Sequence, residues 1–251
     1  ITGGSDIIAS LSGSDIIFSA PLNYNGSELF TVSVGDAQYN DSQDITVTVN
    51  PVNDAPTAND VSGTTNEDED VSITLDGLDI DGDDLIYILD QDSSNGSVSI
   101  TGTNATYSPE QDFNGTTSFT YRVTDGELTS SSATATITVN AVNDAPVLTD
   151  ISDQVIDEDT SLTYSVLASD VDGDDLTYSA SIDGNGSIDI TGTDLTIIPD
   201  ADFNGSIVAS VIVSDGEYTD SDTFILTVNA VNDAPILTDI SDQVIDEDTS
   251  L

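Results

Sequence analysis

The tetrapeptide Asn-Asp-Ala-Pro occurs three times in this chain, at residues 53–56, 143–146 and 232–235. The match extends further, because residues 143–162 and 232–251 differ only where Val147 is replaced by Ile236. A fixed period of about 90 residues is typical of a tandem array in which each repeat is one folded module. We therefore expect the C-terminal part of a truncated module (1–52), two complete modules (53–142 and 143–231) and the start of a further module (232–251).

Both complete modules contain short runs in which β-branched and aromatic residues alternate with polar ones, and neither shows a helical period. Gly, Asn and Asp separate these runs, which is typical of strands joined by tight turns. The pattern predicts an all-β fold with about seven antiparallel strands in each module, arranged as a β-sandwich. In the later module the predicted strands are 154–156, 161–168, 175–181, 187–190, 195–198, 206–213 and 222–228. In the earlier one they are 71–75, 85–89, 97–100, 105–108, 116–124 and 133–139.

Aromatic residues recur in an (F/Y)-Asn-Gly motif at Tyr24, Phe113 and Phe203. The strand that follows alternates apolar residues, at Phe119, Tyr121 and Val123 and again at 209, 211 and 213. We expect these side chains to form the core and the Asn-Gly pairs to form turns.

The charge of the chain excludes several functions. It contains 48 acidic residues, no His, no Cys and one basic residue, Arg122, so the formal net charge is −47. Contacts to nucleic-acid phosphates need basic side chains, and an anionic membrane surface repels such a chain. We expect Arg122 to be solvated. Without His, Cys or Lys, a glycosidase with paired carboxylates is the one conceivable enzyme class, but the carboxylates recur in every module, whereas an active site is normally singular. We predict no enzyme.

The acidic residues occupy fixed positions in the repeat, and only eight of them are Glu. A Glu follows each tetrapeptide at 67, 158 and 247, and an Asp-x-Asp-Gly-Asp run follows at 79–83 and 170–174. Asp112 and Asp202 precede the aromatic turn, and Asp125 and Asp215 end a strand in an Asp-Gly pair. An EF-hand is excluded, since the Glu expected at loop position twelve is missing. The alternative to a cation site is a solvated acidic surface, to which we assign Asp220, Asp222, Asp239 and Asp242.

The segments Asp170-Val-Asp172-Gly, Val213-Ser-Asp215-Gly and Asn232-Asp-Ala-Pro235 resemble the cadherin repeat. The resemblance is closer to the cadherin-like tandem repeats of giant bacterial calcium-dependent surface adhesins, and it covers the whole chain. It implies tandem Ig-like, cadherin-like seven-stranded antiparallel β-sandwich modules joined end to end, with Ca²⁺ between consecutive modules.

The resemblance also implies the ligands at each junction. At the middle junction they are Glu67, Asp112, Asn140, Asn143, Asp144, Asp170, Asp172 and Asp215. At the first they are Asn50, Asn53, Asp54, Asp79, Asp81 and Asp125. At the third they are Glu158, Asp202, Asn229, Asn232 and Asp233. Six carboxylates at the middle junction repel one another by roughly 1 kcal/mol per pair at ~4 Å even in bulk water, so their clustering favours a counter-ion.

We therefore expect an extracellular, cell-surface stalk or spacer that calcium makes rigid, in an adhesin or surface filament that supports adhesion or biofilm formation. Its partners would be calcium, neighbouring modules of the same array and lateral copies of the chain, with no nucleic acid and no direct membrane insertion. Two alternatives stay open: a calcium-dependent module that binds a glycan or a protein partner, and a subunit of a self-assembling extracellular filament.

Overall fold

The computed structural model describes residues 1–247, and all regular elements in that range are β-strands. The described range therefore contains no helix capable of crossing a membrane. The chain divides into two compact units, one comprising residues 1–142 and the other beginning at Asn143.

The first unit contains five strands before residue 53 and nine after it. The five are β1 (Thr2–Gly3), β2 (Ile8–Ser12), β3 (Asp15–Ser19), β4 (Gly26–Gly35) and β5 (Asn40–Val49). The nine are β6 (Thr57–Asn59), β7 (Val61–Asn66), β8 (Val71–Thr74), β9 (Asp76–Leu78), β10 (Ile86–Gln91), β11 (Gly96–Thr101), β12 (Asn104–Pro109), β13 (Gly115–Thr124) and β14 (Ala133–Asn140).

The second unit repeats the order of those nine strands. They are β15 (Val147–Leu148), β16 (Gln154–Asp157), β17 (Leu162–Ser165), β18 (Ala168–Ser169), β19 (Thr177–Ile182), β20 (Gly186–Thr191), β21 (Asp194–Pro199), β22 (Gly205–Ser214) and β23 (Thr219–Asn229).

Each set of nine strands forms a sandwich whose two main sheets hold seven strands, as predicted. After residue 53 the sheet orders are β10-β13-β14-β7 and β11-β12-β8, and in the second unit they are β19-β22-β23-β16 and β17-β21-β20. The pairs are antiparallel except that β7 runs parallel to β14 and β16 runs parallel to β23. Small two-stranded sheets, β6-β9 and β15-β18, complete the two sandwiches.

The inward alternation predicted for the long central strands is confirmed. Phe119 and Tyr121 on β13 are at most 1 % exposed, and Ala209 on β22 is fully buried. Phe119 pairs across the strands with Ala135, whereas Ala209 pairs with Phe224. The large and the small residue have thus exchanged strands, so the volume of the core is kept at this position.

Tyr121, on β13, makes hydrogen bonds to the two-stranded sheet β6-β9. Its hydroxyl donates to the carbonyl oxygens of Asn59 and Asp76 and accepts the backbone N–H of Asp76 at 3.1 Å. Burial raises the pKa of Tyr121, so the hydroxyl stays protonated. The second unit has Val211 at this position, on strand β22.

Glu28 holds the turn that follows β1. Its carboxylate accepts the backbone N–H groups of Ser5, Asp6 and Ile7 at 3.0, 2.9 and 3.0 Å, and the Tyr24 hydroxyl at 3.3 Å. Burial raises the pKa of Glu28, but the hydrogen bonds outweigh it and the pKa lies at about 2.

One expectation about a single feature was wrong, and another was incomplete. The predicted strand 161–168 is split into β17 and β18, which pair with β21 and β15 respectively, because the chain changes sheets at the buried Val166. Arg122 is 46 % exposed but not simply solvated, since its Nε lies 3.0 Å from the Asp90 carboxylate.

Candidate cation-binding sites

In the two strand-ending Asp-Gly pairs, at Asp125 and Asp215, one aspartate oxygen accepts backbone N–H groups and the other accepts an asparagine side chain. Asp125 Oδ1 accepts the N–H groups of Glu127 and Leu128 at 2.7 Å, and its Oδ2 accepts Asn53 Nδ2 at 2.9 Å. The Leu128 N–H, followed by Asn53, holds the pKa of Asp125 below its usual range. The predicted ligands Asn53 and Asp125 therefore contact each other.

The second unit repeats this arrangement. Asp215 Oδ1 accepts the N–H groups of Glu217 and Tyr218 at 2.7 Å, and Oδ2 accepts Asn143 Nδ2 at 2.9 Å. Burial raises the pKa of Asp215, but these donors outweigh it and the pKa is lowered. The ionised form of this carboxylate is therefore stabilised.

The Asp-x-Asp-Gly-Asp runs form loops in which the first aspartate accepts hydrogen bonds from backbone N–H groups of the same loop. Asp79 Oδ1 accepts the N–H groups of Asp81 and Gly82 at 2.8 and 3.2 Å, while Oδ2 is buried without a hydrogen-bond partner. Gly82 has a φ of 85°, which a glycine adopts without strain. Asp81 Oδ2 accepts the N–H of Asp54 at 2.8 Å, so three predicted ligands lie in one network.

The loop of the second unit matches this geometry. Asp170 Oδ1 accepts the N–H groups of Asp172 and Gly173 at 2.9 and 3.1 Å, and its Oδ2 is again buried without a hydrogen-bond partner. Asp172 Oδ2 accepts the N–H of Asp144 at 2.8 Å.

The two glutamates that follow the tetrapeptides are buried. Glu67 is 4 % exposed, and its Oε1 accepts the N–H of Val142 while its Oε2 accepts Asn114 Nδ2 at 3.3 Å. Its own N–H donates to the carbonyl oxygen of Asn140 at 2.9 Å. The carboxylate is thus fixed beside the end of β14.

Glu158 has the same surroundings in the second unit. It is 6 % exposed, with Val231 N–H on Oε1 and Asn204 Nδ2 on Oε2 at 3.3 Å. Its N–H donates to the carbonyl oxygen of Asn229 at 2.9 Å.

A group of three aspartates lies near Glu158. Oxygens of Asp159, Asp202 and Asp233 all lie within 4.8 Å of one another. Asp202 donates its N–H to Asp159 Oδ1 at 3.3 Å. The charge of Asp202 is the largest cause of a raised pKa at Asp233, followed by burial and the charges of Glu158 and Asp159. The carboxylates therefore repel one another.

A cavity of about 240 Å³ in the first unit brings together further predicted ligands. Asn50, Asp54 and Asp81 line it, as do Asn23 and Asn25. Residues from the strand ends before position 53 and from the loop after it therefore face one space.

The remaining predicted ligands have other partners. Asp112 donates its N–H to Asp68 Oδ1 at 3.2 Å. The side chains of the asparagines that end β14 and β23 turn to Asn66 and Asp157, and Asn232 Nδ2 donates to the carbonyl oxygen of Asp233 at 3.0 Å. Glu67, Asp112 and Asn140 lie in the first unit, and Asn143, Asp144, Asp170, Asp172 and Asp215 lie in the second.

Sequence reasoning missed Asp68 and Asp159, which contact the predicted ligands Asp112 and Asp202. The signal was present, because an Asp directly follows the Glu in each repeat. The assignment of Asp220 and Asp222 to a solvated surface was also wrong, since Asp220 accepts the N–H of Leu148 at 2.8 Å and Asp222 accepts that of Ile151 at 2.5 Å.

The model of the bacterial Ig domain family matches residues 53–138 and 143–229, and the chain belongs to that family. A comparison with curated proteins finds no match.

Among solved structures, cadherin ectodomains share the fold. Domains 1–5 of protocadherin gamma B2 match with 16 % identity and a TM-score of 0.56, covering 91 % of this chain and 51 % of that one. Human protocadherin-24 EC1-2 matches with 18 % identity and a TM-score of 0.50, covering 72 % and 100 %. The endo-fucoidan hydrolase MfFcnA4 matches with 18 % identity and a TM-score of 0.35, covering 92 % of this chain, which spans 39 % of its length. The family match and the similarity to the protocadherin ectodomains establish a tandem Ig-like, cadherin-like β-sandwich fold.

Proposed function

We propose that this chain, an array of bacterial Ig domains, is an extracellular stalk or spacer of a large repetitive surface adhesin or filament. Ca²⁺ bound at the module junctions would make the array rigid and would so support adhesion or biofilm formation. The proposal divides the chain into modules at 53–142 and 143–231, flanked by parts of two others. Calcium, neighbouring modules and lateral copies of the chain are its proposed partners.

One observation carries the proposal: the same aspartate oxygen is buried without a hydrogen-bond partner in both units. Asp79 uses Oδ1 for two backbone N–H groups and Asp170 uses it for three, and both leave Oδ2 unsatisfied. An unsatisfied buried polar atom costs about 1–3 kcal/mol, and more when it is charged. A bound cation would satisfy that oxygen, which explains why the arrangement recurs.

The donor set fits a hard cation. All predicted ligands offer carboxylate, amide or carbonyl oxygens, which are the ligands that Ca²⁺ prefers. Mg²⁺ retains its waters and suits such cages less well, and Zn²⁺ normally requires His or Cys. In the first unit Asn50, Asn53, Asp54, Asp79, Asp81 and Asp125 would hold the ion. In the second unit Asn143, Asp144, Asp170, Asp172 and Asp215 would contribute to one site. Glu158, Asp202 and Asp233 would contribute to another, together with Asp159.

The cavity of the first unit suggests how an ion would stiffen the chain. Asn50 and Asp54 belong to the segment between β5 and β6, whereas Asp81 belongs to the loop after β9. An ion bound by all three would tie this segment to the sandwich and would offset the repulsion between Asp54 and Asp81. Stiffness would then depend on the external calcium concentration.

Small-angle scattering and thermal unfolding of the chain, with calcium and with chelator, test the proposal. We expect calcium to extend the particle and raise the melting temperature, and Asp79→Ala combined with Asp81→Ala to reduce both effects. Asp83→Ala combined with Asp84→Ala is the matched control, because it removes the same charge from the same loop. If calcium changes neither the dimensions of the particle nor the melting temperature of the unmodified chain, the proposal is wrong.

A further inference from the structure

Two asparagines that sequence reasoning assigned to turns contact the buried glutamates. Asn114 and Asn204 precede the first residues of β13 and β22 and are themselves exposed. Each donates Nδ2 to Oε2 of its glutamate at 3.3 Å, Asn114 to Glu67 and Asn204 to Glu158. Within residues 1–247, the amide is therefore the one side-chain donor to each of these two carboxylates.

Both asparagines are followed by glycine, which gives them a specific reactivity. The backbone nitrogen of the glycine can attack Cγ of the asparagine, so that a new C–N bond closes a succinimide ring. The Cγ–Nδ2 bond breaks, and ammonia leaves with the proton of the glycine amide. Water then opens the ring at either carbonyl and yields aspartate or isoaspartate. Water is the only co-reactant, and no atom is oxidised or reduced.

The structure leaves room for this reaction. A Cβ placed on Gly115 would have Phe113 Cζ at 3.8 Å, and the atoms nearest to one on Gly205 belong to the Phe203 ring, at 3.2 Å and beyond. The exposed asparagine is accessible to water on its other side.

We propose that Asn114 and Asn204 are modification sites, at which deamidation replaces the donor to a buried glutamate with a second carboxylate. The new charge would lie at hydrogen-bond distance from Glu67 or Glu158. These glutamates are only 4 % and 6 % exposed, so water screens the repulsion between the two carboxylates weakly. A divalent cation bridging the two carboxylates would remove the penalty. Deamidation thus makes the module more dependent on a cation, a consequence that rests on the proposed function.

The chain provides an internal control. Asn25, Asn95 and Asn185 are also followed by glycine. Asn185 lies in the turn between β19 and β20 of the second unit, and Asn185→Asp adds the same charge as Asn204→Asp without placing it beside Glu158.

The first experiment ages the full chain in chelator at neutral pH and maps deamidation by mass spectrometry of its peptides. We expect Asn114 and Asn204 to accumulate the modification. The proposal is overturned if both remain amides while Asn185 is converted.

The second experiment compares the melting of Asn204→Asp, Asn204→Ala and Asn185→Asp in chelator and in calcium. In chelator we expect Asn204→Asp to melt roughly 4–8 °C below Asn185→Asp, a shift typical of one lost interaction in a domain of this size. Asn204→Ala, which removes the donor without adding charge, should fall between them. In calcium Asn204→Asp should recover more than either.

The two hypotheses fail in different ways. If Asn204→Asp melts with Asn185→Asp in chelator, the inference is overturned whatever calcium does. If calcium does not change the melting temperature of the unmodified chain, the proposed function fails. The comparison of variants in chelator still decides whether the new carboxylate destabilises the module by repelling Glu158.

Discussion

Replacing Asp79 by asparagine should have opposite effects on stability with and without calcium. The variant keeps the Oδ1 acceptor for Asp81 and Gly82 and replaces the unpartnered Oδ2 with a neutral amide. Burying a charged group without a partner costs more than burying a neutral one. Without a cation, we therefore expect Asp79→Asn to leave the free energy of unfolding unchanged or to raise it by up to about 1 kcal/mol.

Calcium should reverse that order. For a typical extracellular dissociation constant of ~10⁻⁴–10⁻³ M, calcium at ~10 mM stabilises the unmodified site by roughly 1.4–2.7 kcal/mol. In a domain of this size, each kilocalorie shifts the melting temperature by roughly 4–8 °C. Asp79→Asn should lose most of this gain, because a neutral amide replaces one anionic ligand.

Calorimetry of the unmodified chain, Asp79→Asn and the neighbouring control Asp83→Asn, each in chelator and in calcium, measures both effects. We expect Asp83→Asn to respond to calcium as the unmodified chain does. A loss of more than about 1 kcal/mol by Asp79→Asn in chelator would refute the reasoning about the unpartnered oxygen. Equal calcium shifts in the two variants would refute the role of Asp79 as a ligand.

Two further substitutions test the fold. Tyr121→Phe should lower the free energy of unfolding of the first unit by about 0.5–1.5 kcal/mol in urea, because it removes the hydrogen bonds between the hydroxyl and the backbone groups of Asn59 and Asp76. The second unit has Val211 at this position and should unfold as before. Glu28→Gln should lower the urea midpoint near pH 6. Because the folded pKa of Glu28 is lowered to about 2, its contribution is present above the unfolded value of about 4.3 and is lost as the pH falls towards 2, so the difference from the unmodified chain should vanish there.

The long strands could be predicted from the sequence because a buried face imposes a period of two. β13, β14, β22 and β23 each alternate buried residues, nearly all apolar, with more exposed ones. The outward residues are polar in β13 and β14, whereas in β22 and β23 they include Val208, Ile212 and Ile225. β6 and β7 could not be predicted in this way, since Thr57–Asn59 and Val61–Asn66 contain few apolar residues. Their position depends on pairing with β9 and β14, which are distant in sequence. Tertiary contacts decide such strands, and local pattern does not.

The candidate site was predictable at the level of residue type and spacing. Repetition of the acids identified Asp79, Asp125 and Glu67, whose surroundings recur in the second unit. Repetition equally marked Asn114, but a turn explained the Asn-Gly pair well enough that its contact with Glu67 was not predicted. When one residue both forms a turn and donates a hydrogen bond to a carboxylate, the sequence predicts only the turn.

The preference for aspartate over glutamate follows from the way that the two oxygens of each carboxylate are used. In Asp125 and Asp215 one oxygen accepts two N–H groups of the following residues, two and three positions away. Only a short side chain can reach its own backbone in this way. That bond fixes the carboxylate in one rotamer, and the second oxygen is then held in place for another partner. A glutamate, one methylene longer, needs distant donors to be held as firmly, and Glu67 and Glu158 have them in Val142 and Val231. The chain thus orients these negative charges with its own backbone, and the second oxygen of each carboxylate remains available to another partner.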